Sequence, residues 1–248
     1  VRNILLRLAF VGTNYAGWQR QQNDTTVQGV VEQAIKAITG ERVSLVGCSR
    51  TDAGVHAEDY VANFRTAALI PADRFQPAIQ TKLPRDIQIL ASKEVTPEFN
   101  ARRCSYEKTY RYQIVLGTSP FFQDRWWQYA GDVDFSLLPE LAGLVVGMYD
   151  FSGFCVRKSL KNDNRCTIKD AAWRKSGKKL YFKITGDRFL HHMVRFLVGA
   201  QFEVAAGRLT RRDFEVILKN PAEKRALYPA PAEGLYLMKV KIRQFWRR

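Results

Sequence analysis

"TTVQGVVEQAIKAITG", residues 25–40, places Val27, Val30, Val31, Ala34, Ile35 and Ile38 at three- and four-residue intervals. That spacing lines one face of a helix, with Thr25 or Thr26 available as the N-cap and Gly40 just past the last turn. Before it, "NILLRLAFVG" (3–12) sets Ile4, Leu6, Leu8 and Phe10 at alternate positions, the period of a strand with one buried face. After it come "RVSLVGC" (42–48) and "DYVANFRT" (59–66), read as strands. A helix follows in "PADRFQPAIQTKL" (71–83), where Pro77 weakens the pattern, and then a strand in "RDIQILASKEV" (85–95). The order is β-α-β-β-α-β, the ferredoxin-like unit, in which two crossovers place both helices on one face of an antiparallel sheet.

The rest of the chain repeats that order more loosely. "SYEKTYRYQIVL" (105–116) is a strand, and "DFSLLPELAGLVVG" (134–147) carries a helix interrupted by Pro139. "CTIKDAAWRKS" (166–176) and "KKLYFKITGD" (178–187) form a hairpin turning at Gly177. "FLHHMVRFLVGAQFEVAAG" (189–207) is an amphipathic helix, "TRRDFEVILKN" (210–220) a second, and "GLYLMKVKIRQF" (234–245) a closing strand. The expected fold is α+β: two tandem ferredoxin-like units, 1–97 and 98–248, sharing a central, mainly antiparallel sheet, because two small separate cores would each be marginal.

Composition narrows the function classes. Hydrophobic residues are 46% and charged residues 25%, a globular balance. No stretch of eighteen apolar residues occurs and "VRNILLRLAF" lacks the layout of a signal peptide, so a cytoplasmic protein without membrane attachment is expected. Cys48, Cys104, Cys155 and Cys166 are widely spaced, and His56, His191 and His192 are the only histidines; no zinc-binding spacing or disulfide framework follows from them. Charge is the informative quantity. Residues 1–97 hold 11 basic and 9 acidic side chains, net +2, whereas residues 98–248 hold 28 and 15, net +13. So lopsided a surplus points to a polyanionic partner, nucleic acid above all.

Against that background "SRTDAGVHA" (49–57) stands out. Asp before Ala-Gly is ordinary turn chemistry, but Arg50 lies two residues from Asp52 and the turn joins two strands. A carboxylate kept ionised for catalysis needs a cation within about 4–6 Å. Arg50 is the local candidate, and Arg195, at the edge of the buried face of the 189–207 helix, is a distant one. Tyr110 and Tyr112 share one face of their strand, as core residues or as a stacking platform for a base. His56 is placed to brace the turn or to meet a ligand, and His191 and His192 receive no catalytic role. "VGTNYAGWQRQ" (11–21) matches neither a phosphate loop nor a dinucleotide fingerprint, and no nucleophile elbow occurs.

Taken in order, "GTNYAGWQRQ", "TVQ", "RTDAGVHA", "FNAR", "YEKTYRY", "DFSGF", "HHMVRFLVG" and "EGLYL" resemble the tRNA pseudouridine synthases of the A type from end to end. The resemblance implies isomerisation of uridine in tRNA, with the anticodon stem-loop around positions 38 to 40 as target, without metal or other cofactor, by a homodimer. It makes Asp52 the catalytic carboxylate, Arg195 the cation that holds it ionised, Tyr110 the ring stacked on the flipped base, and Arg50 the residue that displaces the target nucleotide. Two departures are noted: Val11 where the family usually has Asp, and Ser49 where it usually has Gly. Two rivals remain: an RNA-binding protein on the same scaffold without catalysis, although the signature of an RNA-recognition motif is missing, and a glycosidase-like hydrolase, for which Glu58 and Asp59 are poorly placed as the second carboxylate.

Overall fold

The computed structural model describes residues 1–243. The chain forms two compact units, one of Val1–Tyr106 joined by the segment from Tyr236 onward, the other of Glu107–Leu235. Both are α+β with mainly antiparallel pairing.

In the first unit β1 (Arg2–Phe10), α1 (Val27–Thr39), β2 (Val46–Gly47), β3 (His56–Thr66), α2 (Phe75–Gln80) and β4 (Ile87–Val95) follow the expected order. The strands lie β4-β1-β3-β2, antiparallel throughout, which is the ferredoxin-like arrangement. The alternation read in β1 is its core face: Ile4, Leu6 and Leu8 oppose Phe64, Ala62 and Tyr60 of β3, all buried. Helix α1 buries Val27, Val31, Ala34 and Ile35. Thr26 caps it by accepting from the Gly29 N–H, and Gly40 ends it in the left-handed region at φ 76°. Pro77 costs α2 little, because it sits in the first turn, where backbone N–H groups have no helical acceptor. A single turn, α3 (Ala101–Cys104), ends the segment, capped by the Asn100 side chain.

Two strand boundaries differ most from the sequence reading. The 42–48 strand shrinks to Val46–Gly47: the Leu45 N–H goes to the buried carboxylate of Glu32 at 2.9 Å instead of to a ladder. Strand β3 starts at His56 rather than Asp59, because His56 and Ala57 gain a parallel partner in Tyr236 and Leu237 of β10 (Leu235–Ile242). The closing strand thus belongs with the first unit; Gln244 and Phe245, the end of the expected strand, lie outside the described residues.

The second unit is built on β5 (Ser105–Leu116), β8 (Arg165–Ser176) and β9 (Lys179–Gly186), with the β8–β9 hairpin turning at Gly177 (φ 57°). Its strands run β7-β8-β9-β5, with β7 (Gly147–Asp150) at one edge and β6 (Trp127–Tyr129) parallel to β5; neither β6 nor β7 was expected. Tyr110, Tyr112 and Ile114 oppose Ile184, Phe182 and Leu180 across the β5–β9 ladder, and Trp173 of β8 continues this face. Pro139 does not interrupt a helix but sits near the start of α4 (Leu138–Leu144), where its missing N–H is harmless. Helix α5 (Met193–Ala205) is shorter than the 189–207 pattern, since His192 adopts a left-handed conformation (φ 62°) and precedes the first helical turn. It is not amphipathic: most of its residues are buried, and even Gln201 is fully enclosed, accepting from Trp173 Nε1 at 2.8 Å. Helix α6 (Arg211–Lys219) follows, started by a Thr210–Asp213 capping box.

Candidate active site

The turn that carries Asp52 is held by backbone. The Val55 N–H donates to the Asp52 carbonyl at 3.2 Å and Gly54 takes φ 78°, so residues 52–55 close a β-turn whose third position requires glycine. Upstream, the Cys48 N–H donates to Val61 O, and the Tyr60 hydroxyl donates to the Ser49 carbonyl. Ser49 is not among the residues with positive φ, so the side chain standing where glycine is usual costs the backbone nothing. Asp52 is half-buried on this frame, and its neighbour Thr51 is buried with no hydrogen-bond partner for Oγ1.

The 11–21 loop supplies the other wall of the turn. Trp18 N–H donates to Thr51 O at 3.2 Å, and Gly54 N–H to Tyr15 O at 3.3 Å. The two backbones approach so closely that a Cβ on Gly17 would lie 2.4 Å from Thr51 O, and one on Gly12 2.1 Å from Val55 O. His56 resolves as a brace: buried, it accepts the Gly12 N–H on Nδ1 at 3.0 Å and stacks on Tyr236 at 4.5 Å. Asp86 braces the same loop, its carbonyl taking the Val11 N–H at 2.9 Å and its carboxylate the Tyr15 hydroxyl at 2.7 Å. Burial, with Asp86 acting in the same direction, pushes the Tyr15 hydroxyl well above its ordinary pKa, so it stays a donor. The loop is therefore anchored without any carboxylate at position 11.

The loop also caps α1, with Val27 N–H donating to Gly17 O and Gln28 N–H to Trp18 O. Trp18 stacks on Tyr60 at 4.1 Å, tying the loop to β3. The "GTNYAGWQRQ" and "TVQ" motifs thus turn out to be the scaffold of the Asp52 turn. Arg50 is exposed and, among the described residues, makes no side-chain hydrogen bond or ion pair.

The other two candidates come from the second unit. Tyr110 projects from β5 opposite Ile184, is 6% exposed, and meets Phe189 edge-on at 5.0 Å and 79°. Arg195, half-buried on the first turns of α5, donates Nε–H to the Ala230 carbonyl at 2.7 Å. Sequence reasoning missed the Ala230 contact, as it did the Tyr112 hydroxyl bond to Pro231 O at 2.6 Å. No spacing rule links those residues; the "EGLYL" motif just downstream was the nearest signal.

Comparison with known proteins places these features in a family. The family model described as tRNA pseudouridine synthase matches residues 8–106 and 141–241. Those segments hold Arg50, Asp52 and Arg195, and Tyr110 falls between them. The tRNA pseudouridine synthase A of Acetivibrio thermocellus is 42% identical over 242 residues, 97% of this chain and 99% of its own. Those of Clostridium kluyveri and Clostridium acetobutylicum are 39% and 38% identical over the same shares. No helix among the described residues is long and apolar enough to cross a membrane. The chain belongs to the tRNA pseudouridine synthase family and is an RNA pseudouridine synthase, an isomerase of uridine in tRNA.

Proposed function

We propose that the enzyme converts uridine to pseudouridine in the anticodon stem-loop, around positions 38 to 40, with Asp52 as its catalytic carboxylate. The N1–C1′ bond breaks, the uracil turns, and a C5–C1′ bond forms; the C5 proton is lost to water and N1 takes one up. Nothing is oxidised or reduced. The observation that carries the reading is the match of the family model across the Asp52 turn, whose backbone is braced from both ends while its carboxylate stays half-buried. A rigid frame suits a group that must meet one sugar or base atom in a fixed geometry.

In this reading Arg195 is the cation that keeps Asp52 ionised, the Tyr110 ring stacks on the flipped uracil, and Arg50 displaces the target nucleotide. Flipping costs a few kcal/mol, part of which Arg50 offsets by filling the vacated stack. The net +13 of residues 98–248 supplies phosphate contacts. The working form is a homodimer in the cytoplasm.

The test is release of tritium from tRNA labelled at uracil C5. Release by the wild type that vanishes in Asp52→Asn, with tRNA affinity kept within a few-fold, is the expected result. Substantial release by that variant would remove Asp52 from the chemistry. Tight, salt-sensitive binding without release from any tRNA would leave a binding protein.

A further inference from the structure

Within the second unit, residues 228–234 are fixed from two sides. On one side stands Gly199 of α5, where a Cβ would lie 2.2 Å from the Tyr228 carbonyl oxygen. On the other stands Tyr112 of β5, fully buried, whose hydroxyl donates to Pro231 O at 2.6 Å. Gly234 lies flat against that ring, where a Cβ would come within 2.7 Å. Between these supports Ala230 meets Arg195 twice. Its N–H donates to the Arg195 carbonyl at 2.9 Å, and its carbonyl accepts Arg195 Nε–H at 2.7 Å.

A guanidinium carries five N–H donors in one plane. Fixing Nε sets the orientation of that plane and directs the terminal nitrogens, and an arginine otherwise has long, rotamer-rich freedom. The Ala230 carbonyl can fix Nε only as firmly as it is itself held, and its next peptide neighbour, Pro231, is the acceptor of Tyr112.

We infer that Tyr112 is a positioning residue for the isomerisation, acting through Pro231 and Ala230 to hold the Arg195 guanidinium in its working plane. The inference rests on the reading of Arg195 as the cation that serves Asp52. Burial, reinforced by Glu233 and opposed by Arg195, pushes the Tyr112 hydroxyl well above its ordinary pKa, so it keeps its proton as a donor. Phenylalanine would fill the same core volume and lose only that donor.

The experiment uses Tyr112→Phe in the full chain, with two readouts. The first is hydrogen exchange at Arg195 Nε–H by nitrogen-15 NMR, the resonance being identified by its loss in Arg195→Lys. The second is the separation of kcat from KM in tritium release. The expected result is exchange faster by about tenfold, kcat lower by about tenfold, and KM within twofold, since one buried hydrogen bond is at stake. Gly199→Ala, which pushes the same segment from its other side, should give the same pair of changes. Unchanged exchange in Tyr112→Phe, or kcat and KM moving together, would overturn the inference. Faster exchange with unchanged kcat would also overturn it, and Arg195→Lys then locates the fault: if its kcat is normal, Arg195 has no catalytic role, and if its kcat is low, only the relay fails.

Discussion

The Gly12 N–H donates to His56 Nδ1 across 3.0 Å, tying the loop after β1 to the strand that begins just beyond Asp52. The bond specifies a tautomer: Nδ1 must be an unprotonated acceptor, so the neutral ring carries its proton on Nε2. It also links the two ends of the Asp52 frame that sequence distance keeps 44 residues apart. His56→Ala leaves a buried donor unpaired and should cost about 1–3 kcal/mol of stability. His56→Asn, whose Oδ1 can stand near the position of Nδ1, should recover most of that. Urea unfolding of the two variants decides; equal losses would mean that packing against Tyr236, and not the bond, is what His56 provides.

Gly17 and Gly40 share a positive φ but not a setting. At Gly40, φ 76°, a Cβ meets nothing within 4 Å, so Gly40→Ala should cost only the strain of the left-handed region, about 1–2 kcal/mol, with turnover unchanged. At Gly17, φ 88°, the Cβ would run into the Thr51 carbonyl at 2.4 Å, and the Asp52 turn must move to admit it. Gly17→Ala should therefore lower turnover by about tenfold or more in protein that still folds, since a displacement on the order of 1 Å can cost a hundredfold. Thermal unfolding and tritium release, run on both variants, separate the two effects. Similar turnover in both would show that the loop contact does not govern the turn.

These comparisons also show what could be seen in the sequence. The first unit was legible because β1 and α1 each carry one period and bury one face, as Leu6 opposite Ala62 illustrates. The end of the chain was legible as a strand but not as a partner of β3, since the Tyr236–His56 pairing is parallel and spans most of the sequence. Glu32 interrupts no period in the sequence yet is buried, because Gln28 Nε2, one helical turn back, and the Leu45 N–H, thirteen residues on, both donate to its carboxylate. The Asp52 turn and its glycine could be singled out from local chemistry, the proposed role of Asp52 only from the family resemblance. The contacts of Ala230 and Pro231 could not, because they are made by main-chain carbonyls, whose partners no side-chain pattern announces.

Alkaline pH should loosen the fold before acid does anything comparable to these groups. Burial pushes the Cys166 thiol up from about 9 to about 11, and it raises the Tyr15 and Tyr112 hydroxyls as well. Below pH 9 folded and unfolded chains hold the same proton on Cys166. Above it the unfolded thiol ionises while the folded one does not, so stability present below pH 9 is lost as pH rises through 11. Urea midpoints at pH 7.5, 9 and 10.5 should fall across the last interval. Cys166→Ala, compared with its own value at pH 7.5, should fall by less. An identical fall would assign the effect to the tyrosines alone.

The charge asymmetry makes a separate demand on binding. If the 28 basic residues after position 97 meet phosphates, the dissociation constant for tRNA should rise steeply with salt. With six to ten contacts the loss between 50 and 200 mM is about 10³–10⁵-fold. Filter binding over that range gives the slope directly. A change of less than about threefold would leave the surplus as a merely solvated surface.

Arg50 offers the sharpest division between structure and function. Its guanidinium is exposed and, among the described residues, holds no partner, so Arg50→Ala should leave stability within about 0.5 kcal/mol of the wild type. If the side chain fills the stack left by the flipped uridine, turnover on folded tRNA should fall by about tenfold or more, because flipping costs a few kcal/mol. On a short single-stranded RNA carrying the same uridine, little is left to displace, and the penalty should shrink to within about twofold. Comparing the two substrates removes any general effect of the lost charge, which weakens both alike. An equal penalty on both would make Arg50 a phosphate contact, and no penalty on either would leave it outside the reaction.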